Sequence, residues 1–521
     1  MGNYIEGMSR KQLLLLPPNL DKWLPKDHPA RAIDKFTESL GVNSLDLKED
    51  NDEVGRKRYP PKEMLKILIY SYSVGIRSSR EIERMTYENI ALRWLSGDLH
   101  PDYRTIARFR NENSKVLEEL LTKTVKLYKK VYLNKEGFDG TAFIDSTRIY
   151  ANASGDSFID EEKIRKRVKE IIKEAEETDK KEDEKYGEDG SGEKLKEETL
   201  EELEEIVKEL ANEVKKEREV DDKEKEKLTN KIESLKRHIK IYKEEVEDNS
   251  DSKGRVSTTD PDARFMRHYL HGKQPSYNLQ VSADRNRIIT GFDVVNKGTD
   301  HHQFNRMVKR SERNLGIKLK KGIADKGYYN QDELEPVLKR GIIPIVKKED
   351  YAKENREKGY FSRDDFRYDK DMDVVICPSG RELSYRYTYK LKGREYRKYR
   401  GSSPVCNRCP VKEKCIQARV KGRGNEGKNF SLPSDSDFIK MHKEIMEDEE
   451  NIRLYNMRKE IIEPVLGSIK RNLGFRRFSL RGIGKVRGEF GIIGTIYNLM
   501  KLINLMGFDG FMDSLSYNTG Y

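Results

Sequence analysis

Three carboxylates stand where the chain could do chemistry. Asp145 lies in TAFIDSTRIYANAS (141–154), among Phe143, Ile144, Thr147, Ile149 and Tyr150, a composition that predicts a strand. An acid there costs free energy unless something pairs with it. It is either a strand-end residue at a turn, a partner for Arg148, or a metal ligand on a rigid element. Asp325 closes the short apolar strand KGIAD (321–325), at a strand end that faces a loop. Glu463 lies in EIIEPVLGSIKRNLGFRRFSLRG; Glu460 is a close competitor for its place and Glu489 a weaker one. Three carboxylates on separate elements suit two Mg²⁺ or Mn²⁺ ions roughly 3.5–4 Å apart, the requirement of two-metal phosphoryl transfer. Hard oxygen ligands favour these ions over zinc. One ion would activate water or a 3′-hydroxyl and the other would stabilise the leaving oxygen, with no histidine base required.

A second constellation is sulfur. Cys377-x28-Cys406-x2-Cys409-x5-Cys415 holds all four cysteines of the chain. This spacing predicts a structural Cys₄ zinc site, closed to catalysis because four thiolates leave no open position. Four unliganded thiols and an iron–sulfur cluster are the alternatives. Around them Arg381, Arg386, Lys390, Lys392, Arg394, Arg397, Lys398 and Arg400 interleave with Tyr385, Tyr387, Tyr389, Tyr396 and Tyr399. That alternation suits a DNA-facing β-ribbon, and an exposed hairpin would look similar.

The elements that must position these groups can be read in outline. The chain has 521 residues, 35% hydrophobic and 37% charged, with a net charge of +11. Several domains are expected, and a polyanionic partner, nucleic acid first. No apolar run approaches the roughly 18 residues of a membrane span, and Leu13–Leu16 is too short for a signal-peptide core. Residues 1–135 read as short helices: one after Pro60-Pro61, one after Ser78-Ser79, one from Asn89 to Gly97, then PDYRTIARFRNENS (101–114) with Arg104 and Arg108. With Arg110 beside them, around Ile106 and Phe109, these arginines fit a helix-turn-helix-like DNA-binding domain or a plain bundle with a basic face. Residues 161–254 are a charged insertion with apolar residues at 3-4 spacing, a helical hairpin or coiled coil turning at Tyr186–Glu193. It is either a dimerisation arm or a solvated insertion.

Strand signals return at Tyr277–Asp284, Arg287–Asp293, Lys321–Asp325 and Gly341–Val346, so a mixed α/β sheet occupies 136–160 and 255–350. The cysteine module covers 365–420, and 440–510 returns to the core with the third acid. From Pro464 to Lys501 eight Lys or Arg oppose one acid, Glu489. STTDPDARF (257–265) offers Arg264 for phosphate and extra carboxylates, although Asp-Pro-Asp is first a turn signal that orders a loop.

The set FIDSTRIYANAS, STTDPDARF, YNLQVSAD, IADKGYYN and Tyr455…Arg458…Glu463…Lys470 resembles the DDE transposases of bacterial insertion sequences, in the family's order and over nearly the whole chain. The resemblance implies a ribonuclease-H-like core with Asp145, Asp325 and Glu463 as ligands of two Mg²⁺ or Mn²⁺ ions. It further implies a cytoplasmic, nucleoid-associated bacterial enzyme that binds terminal inverted repeats, cuts double-stranded DNA at the element's ends and joins them to target DNA. A homodimer in the synaptic complex follows from the same source, while the composition and the lack of a long apolar run are what predict a soluble, cytoplasmic protein without membrane association. In the family's signature Tyr455, Arg458 and Lys470 flank the acid and touch phosphate. Four residues separate Arg458 from Glu463 here, one more than the family's pattern, which bears on Arg458 more than on Glu463. A standalone metal-dependent nuclease and a DNA-binding remnant that no longer cuts are the other readings.

Overall fold

A computed structural model describes residues 19–40, 58–186, 200–216, 222–249, 254–268, 271–348, 355–391, 394–415, 427–433 and 437–516. Leu13–Leu16, most of the turn expected at Tyr186–Glu193, and Lys392 lie outside the described residues. The chain is mixed α/β, with helices first and sheets after. It divides into two compact units: Met1–Asp300, Met307–Lys318 and Glu460–Tyr521 form the first, and His301–Arg306 with Leu319–Lys459 the second.

In the first unit, helices Pro29–Ser39, Pro61–Ser73, Ser79–Glu88, Ile90–Ser96, Tyr103–Glu112 and Ser114–Tyr128 follow one another. Their ends are where local chemistry puts them. The Asn89 side chain accepts from Leu92 N at 3.0 Å, and Gly97 takes the left-handed conformation (φ +62°) that ends the turn. Asp102 caps the next helix by accepting from Arg104 N and Thr105 N.

The sheet of this unit is built on β5 (Gly272–Ala283). Strand β1 (Thr141–Tyr150) pairs antiparallel along one edge, Asp145 opposite Val281. A short two-stranded ladder, β2 (Phe158–Ile159) with β3 (Val256–Ser257), closes the root of the charged insertion. Strands β4 (Arg264–His268) and β6 (Ile289–Val295) share the other edge of β5 end to end. β4 carries no strand signal of its own in the sequence, where the Asp-Pro-Asp turn of 257–265 reads as ordering a loop and overlaps the strand only at Arg264 and Phe265.

Helix Ile483–Met506 lies against Ser114–Tyr128 at very close approach. A Cβ on Gly491 would sit 2.1 Å from Leu117 O, and one on Gly488 2.5 Å from Ser114 O. Asn498 ties both neighbours to this helix: its side chain bonds Ile289 N and O at 2.9 Å and Thr124 Oγ1 at 3.0 Å. Asp293 is buried on β6 between Arg487 (2.9 Å) and Arg310 (3.3 Å).

Among its described residues the insertion holds three helices, Glu161–Tyr186, Leu200–Lys216 and Asp222–Asn249, where the sequence suggested a helical hairpin or coiled coil. Ile164, Val168, Leu203, Val207, Ile232, Leu235 and Ile239 form one shared core. The apolar 3-4 spacing identifies helices but not how many faces each must cover.

In the second unit, parallel strands β7 (Lys321–Ala324) and β8 (Ile343–Val346) are joined through helix Gln331–Lys339, the crossover that parallel strands need. A separate five-stranded antiparallel sheet follows: β9 (Arg367–Asp369), β10 (Val374–Ile376), β11 (Glu382–Leu391), β12 (Arg394–Gly401) and β13 (Asn429–Pro433), in the order β13-β12-β11-β10-β9. Helix Glu449–Arg471 begins in this unit and ends in the first. Among the described residues no single helix is long and apolar enough to cross a membrane.

Candidate active site

Asp145 sits mid-strand in β1, half-buried. By the alternation of the pleat it shares a face with Phe143, Thr147 and Ile149 and, across the ladder, with Val281 and Leu279. Its Oδ1 accepts from Ser146 N at 2.8 Å. Arg148, a possible partner from sequence, donates instead to Arg267 O (2.7 Å) and Gly298 O (3.1 Å).

The strand then runs out into a basic, aromatic corner. Tyr150 stacks on His268 with ring centroids 4.3 Å apart, and the Arg477 guanidinium lies 5.3 Å from the same ring. Tyr150 also forms a bridge with Arg477, and its N–H donates to Arg476 O at 3.0 Å. The segment following the Glu463 helix is thereby laid along the end of the Asp145 strand. Burial, then Arg476 and Arg148, hold the Lys470 ammonium below its ordinary range. Burial, then Lys470, Arg148 and His271, do the same to His268. Cations gathered this closely suit a polyanion.

Glu463 is exposed on helix Glu449–Arg471. It lies seven residues before Lys470, two turns away on the same helical face, about 10 Å along the axis. Glu460, also exposed, lies well round the helix from Lys470. Pro464 follows Glu463 inside the helix and cannot donate to the Glu460 carbonyl. Glu489 is a different kind of group: fully buried, it accepts from Ser479 N (2.9 Å), Ser479 Oγ (2.5 Å) and Leu480 N (3.0 Å). Burial raises its pKa against those donors. Its oxygens are occupied with holding the chain together.

The Asp-Pro-Asp stretch orders a loop. Asp260 Oδ1 accepts from Tyr277 Oη (2.6 Å) and Gly482 N (3.0 Å), and Asp262 Oδ2 accepts from Ile483 N (2.7 Å) at the start of the last long helix. Arg264 is buried, and its guanidinium donates to Pro261 O and Ala263 O. Sequence reasoning missed Asp284. It is buried, accepts from Tyr128 Oη and Ile288 N, and is pushed up by desolvation to about 6. Its position at a strand end gave no sign of that, since Tyr128 is distant in sequence.

Arg104 and Arg108 are exposed one turn apart on Tyr103–Glu112. Arg110, on the same helix, is buried and donates to Tyr72 Oη (2.9 Å), Arg77 O (2.8 Å) and Ser79 Oγ (2.6 Å).

In the second unit Asp325 follows β7 and caps a short 3₁₀ turn, its Oδ1 accepting from Gly327 N at 2.8 Å. Tyr455 lies under Lys347, 4.5 Å from Nζ to ring centre. Arg458 is buried. Five residues from Glu463 amount to about 140° around the helix, so the extra residue in the signature turns Arg458 to another face. Among the described residues, no three His, Cys, Asp or Glu side chains are set to hold a metal ion as they stand.

Residues 18–112 match a transposase domain family (DUF772), and residues 376–503 match the transposase DDE domain. The second match spans the four cysteines, Glu463, Lys470 and most of the long C-terminal helix. No curated protein and no solved structure shows a significant match.

Proposed function

We propose, from its two transposase-domain matches, that this chain is a DDE transposase of the insertion-sequence type which binds the terminal inverted repeats of its element, cuts the DNA there and transfers the ends to target DNA. The core in this reading is ribonuclease-H-like, and Asp145, Asp325 and Glu463 are its metal ligands. The observation that carries the proposal is the Asp145 strand leading into the corner of Tyr150, His268, Arg477 and Lys470, with Glu463 two turns before Lys470 on one helical face. Asp145 and Asp325 each have one carboxylate oxygen fixed by a backbone N–H, which holds the group in place for a hard cation. Bound Mg²⁺ or Mn²⁺, two ions in this reading, would supply Lewis-acid activation of the attacking oxygen and neutralise the leaving one.

The residues of the chain do the rest. Lys470, already crowded by Arg476 and Arg148, favours a phosphate that relieves the repulsion. Tyr150 and His268 offer a stacked aromatic wall beside it. Arg104 and Arg108, exposed on one helical face, suit backbone contact with double-stranded DNA. Holding two ends requires at least a dimer in the active complex, and the reaction belongs in a bacterial cytoplasm, at the nucleoid.

Cleavage of labelled DNA carrying the element's own ends, with Mg²⁺, tests this. Wild type should cut at the ends, while Asp145→Asn, Asp325→Asn and Glu463→Gln should bind and not cut. Wild type that binds the ends but never cuts would leave a DNA-binding protein in place of the enzyme.

A further inference from the structure

The cysteines lie apart from this chemistry, within the second unit. Among the described residues their sheet has a small core of five buried side chains, Phe366, Val375, Leu383, Tyr399 and Phe430, with Cys377 and Cys415 among the residues packed against it. A core so small rarely holds a fold without a staple. All four cysteines are free thiols, so disulfides do not provide one.

The thiols lie around one cavity of about 190 Å³, lined by Cys377, Cys406, Cys409 and Cys415 together with Leu383 and Val411. Two turns present them. Cys377 follows β10 in a tight loop in which Gly380, at φ +72°, donates to Cys377 O and Arg381 N points at Cys377 Sγ at 3.4 Å. Cys406 lies next to the end of helix Ser403–Asn407, and Cys409 N donates back to Cys406 O at 3.3 Å. Lys428 N points at Cys406 Sγ at 3.5 Å, and Ser379 Oγ lies 3.5 Å from Cys409 Sγ. Gly401 faces Cys406 where a Cβ would stand 3.0 Å from the sulfur. A neutral thiol is a weak acceptor. Backbone N–H groups aimed at two sulfurs are the support that metal-bound sulfur receives. Arg381, Lys412 and Lys428 also line the cavity and offset accumulated negative charge.

We infer that Cys377, Cys406, Cys409 and Cys415 bind one structural zinc ion, which staples β10, the Ser403–Asn407 turn and the Lys412–Cys415 turn beneath the β11–β12 ribbon. Four soft thiolates select zinc over the hard cations of the carboxylate site. As they stand the sulfurs ring the cavity without closing to ligand spacing, so binding draws them inward to about 2.3 Å from the ion. Each thiol releases its proton to solvent as it ligates. No electron transfer is involved. The inference is independent of the transposase reading.

The full chain, purified without chelator, should carry one zinc per molecule by inductively coupled plasma mass spectrometry. Cys406→Ser/Cys409→Ser should lose it, while Asp145→Asn keeps it. Because loss of zinc from the double variant would also follow from unfolding, Co²⁺ substituted into wild type gives a second reading: a tetrahedral visible spectrum with strong sulfur-to-cobalt charge transfer. Iron in place of zinc, no stoichiometric metal, zinc retained by the double variant, or a cobalt spectrum without the sulfur band would each overturn the assignment.

Discussion

The identity of the third acid can be separated from the stability of the fold by comparing Glu489 with Glu463. Glu489→Ala strands Ser479 N, Ser479 Oγ and Leu480 N in the interior and leaves Arg110 facing no carboxylate. Breaking a buried, hydrogen-bonded charge typically costs about 3–5 kcal/mol. The unit containing it has about 370 residues, and unfolding entropy is about 2.1 cal/mol/K per residue, so roughly 4 kcal/mol lowers Tm by about 5 °C. Glu489→Gln keeps one acceptor oxygen but turns an amide donor toward an N–H, at a cost of about 1–3 kcal/mol. Glu463 is exposed, and Glu463→Gln should leave Tm within about 1 °C while abolishing cleavage of labelled ends. Glu489→Gln should still cut at temperatures well below its own melting point. Calorimetry and cleavage on the same preparations decide the matter. A Glu489→Ala protein that melts like wild type refutes the structural account. A folded Glu489→Gln that binds DNA and cannot cut moves the third ligand to Glu489.

Two glycines give the same substitution opposite signs. Gly491→Ala drives a Cβ into the Leu117 carbonyl and should lower Tm by the equivalent of about 1–3 kcal/mol or more. Gly467→Ala, with nothing within 4 Å of its Cβ, should gain up to about 1 kcal/mol of helix propensity; equal shifts in thermal denaturation would discard the packing argument. Asp284, raised to about 6 from 3.8, takes up a proton on folding, so its contribution to stability falls as pH rises from about 4 to 6. By pH 7 the loss approaches about 3 kcal/mol, and Asp284→Asn should gain on wild type between pH 4 and pH 7 in urea titrations; a constant gap contradicts the buried-acid assignment. Lys470→Ala should weaken DNA binding and lower the slope of log K against log salt by about one. An unchanged slope removes Lys470 from phosphate.

What was legible in the sequence was whatever is written locally. The strand around Asp145 follows from its β-branched and aromatic run, and the helix end at Gly97 follows from residue chemistry alone. Groups whose meaning depends on distant partners were not legible. Glu489 read as a weak competitor for the metal because Tyr72, Arg110 and Ser479 are brought to it only by the fold. Arg110 resembled Arg104 and Arg108 in a basic stretch, yet it is buried while they are exposed. The glycines at 488, 491 and 494 form a visible three-residue repeat. Only the partner helix gives that stripe a purpose.

These distant contacts bear on how the reaction could be organised. Tyr72, Ser79 and Arg110 belong to the N-terminal helices; Glu489, Gly491 and Asn498 belong to the helix that covers β6. Arg110 grips Tyr72 Oη, which faces Glu489, while Asn498 bonds both Thr124 and the first residue of β6. Backbones meeting at glycine leave no layer of side chains that could slide. The helical region and the Asp145 sheet therefore belong to one packed body, not two modules on a tether. If Arg104 and Arg108 contact DNA, the distance from that contact to Asp145 is fixed by packing. A substitution that loosens the junction, such as Gly491→Ala, should then scatter cleavage positions on a bound end, even at temperatures where the protein remains folded. Cuts that stay in register in that variant would show that DNA itself, and not this junction, sets the distance.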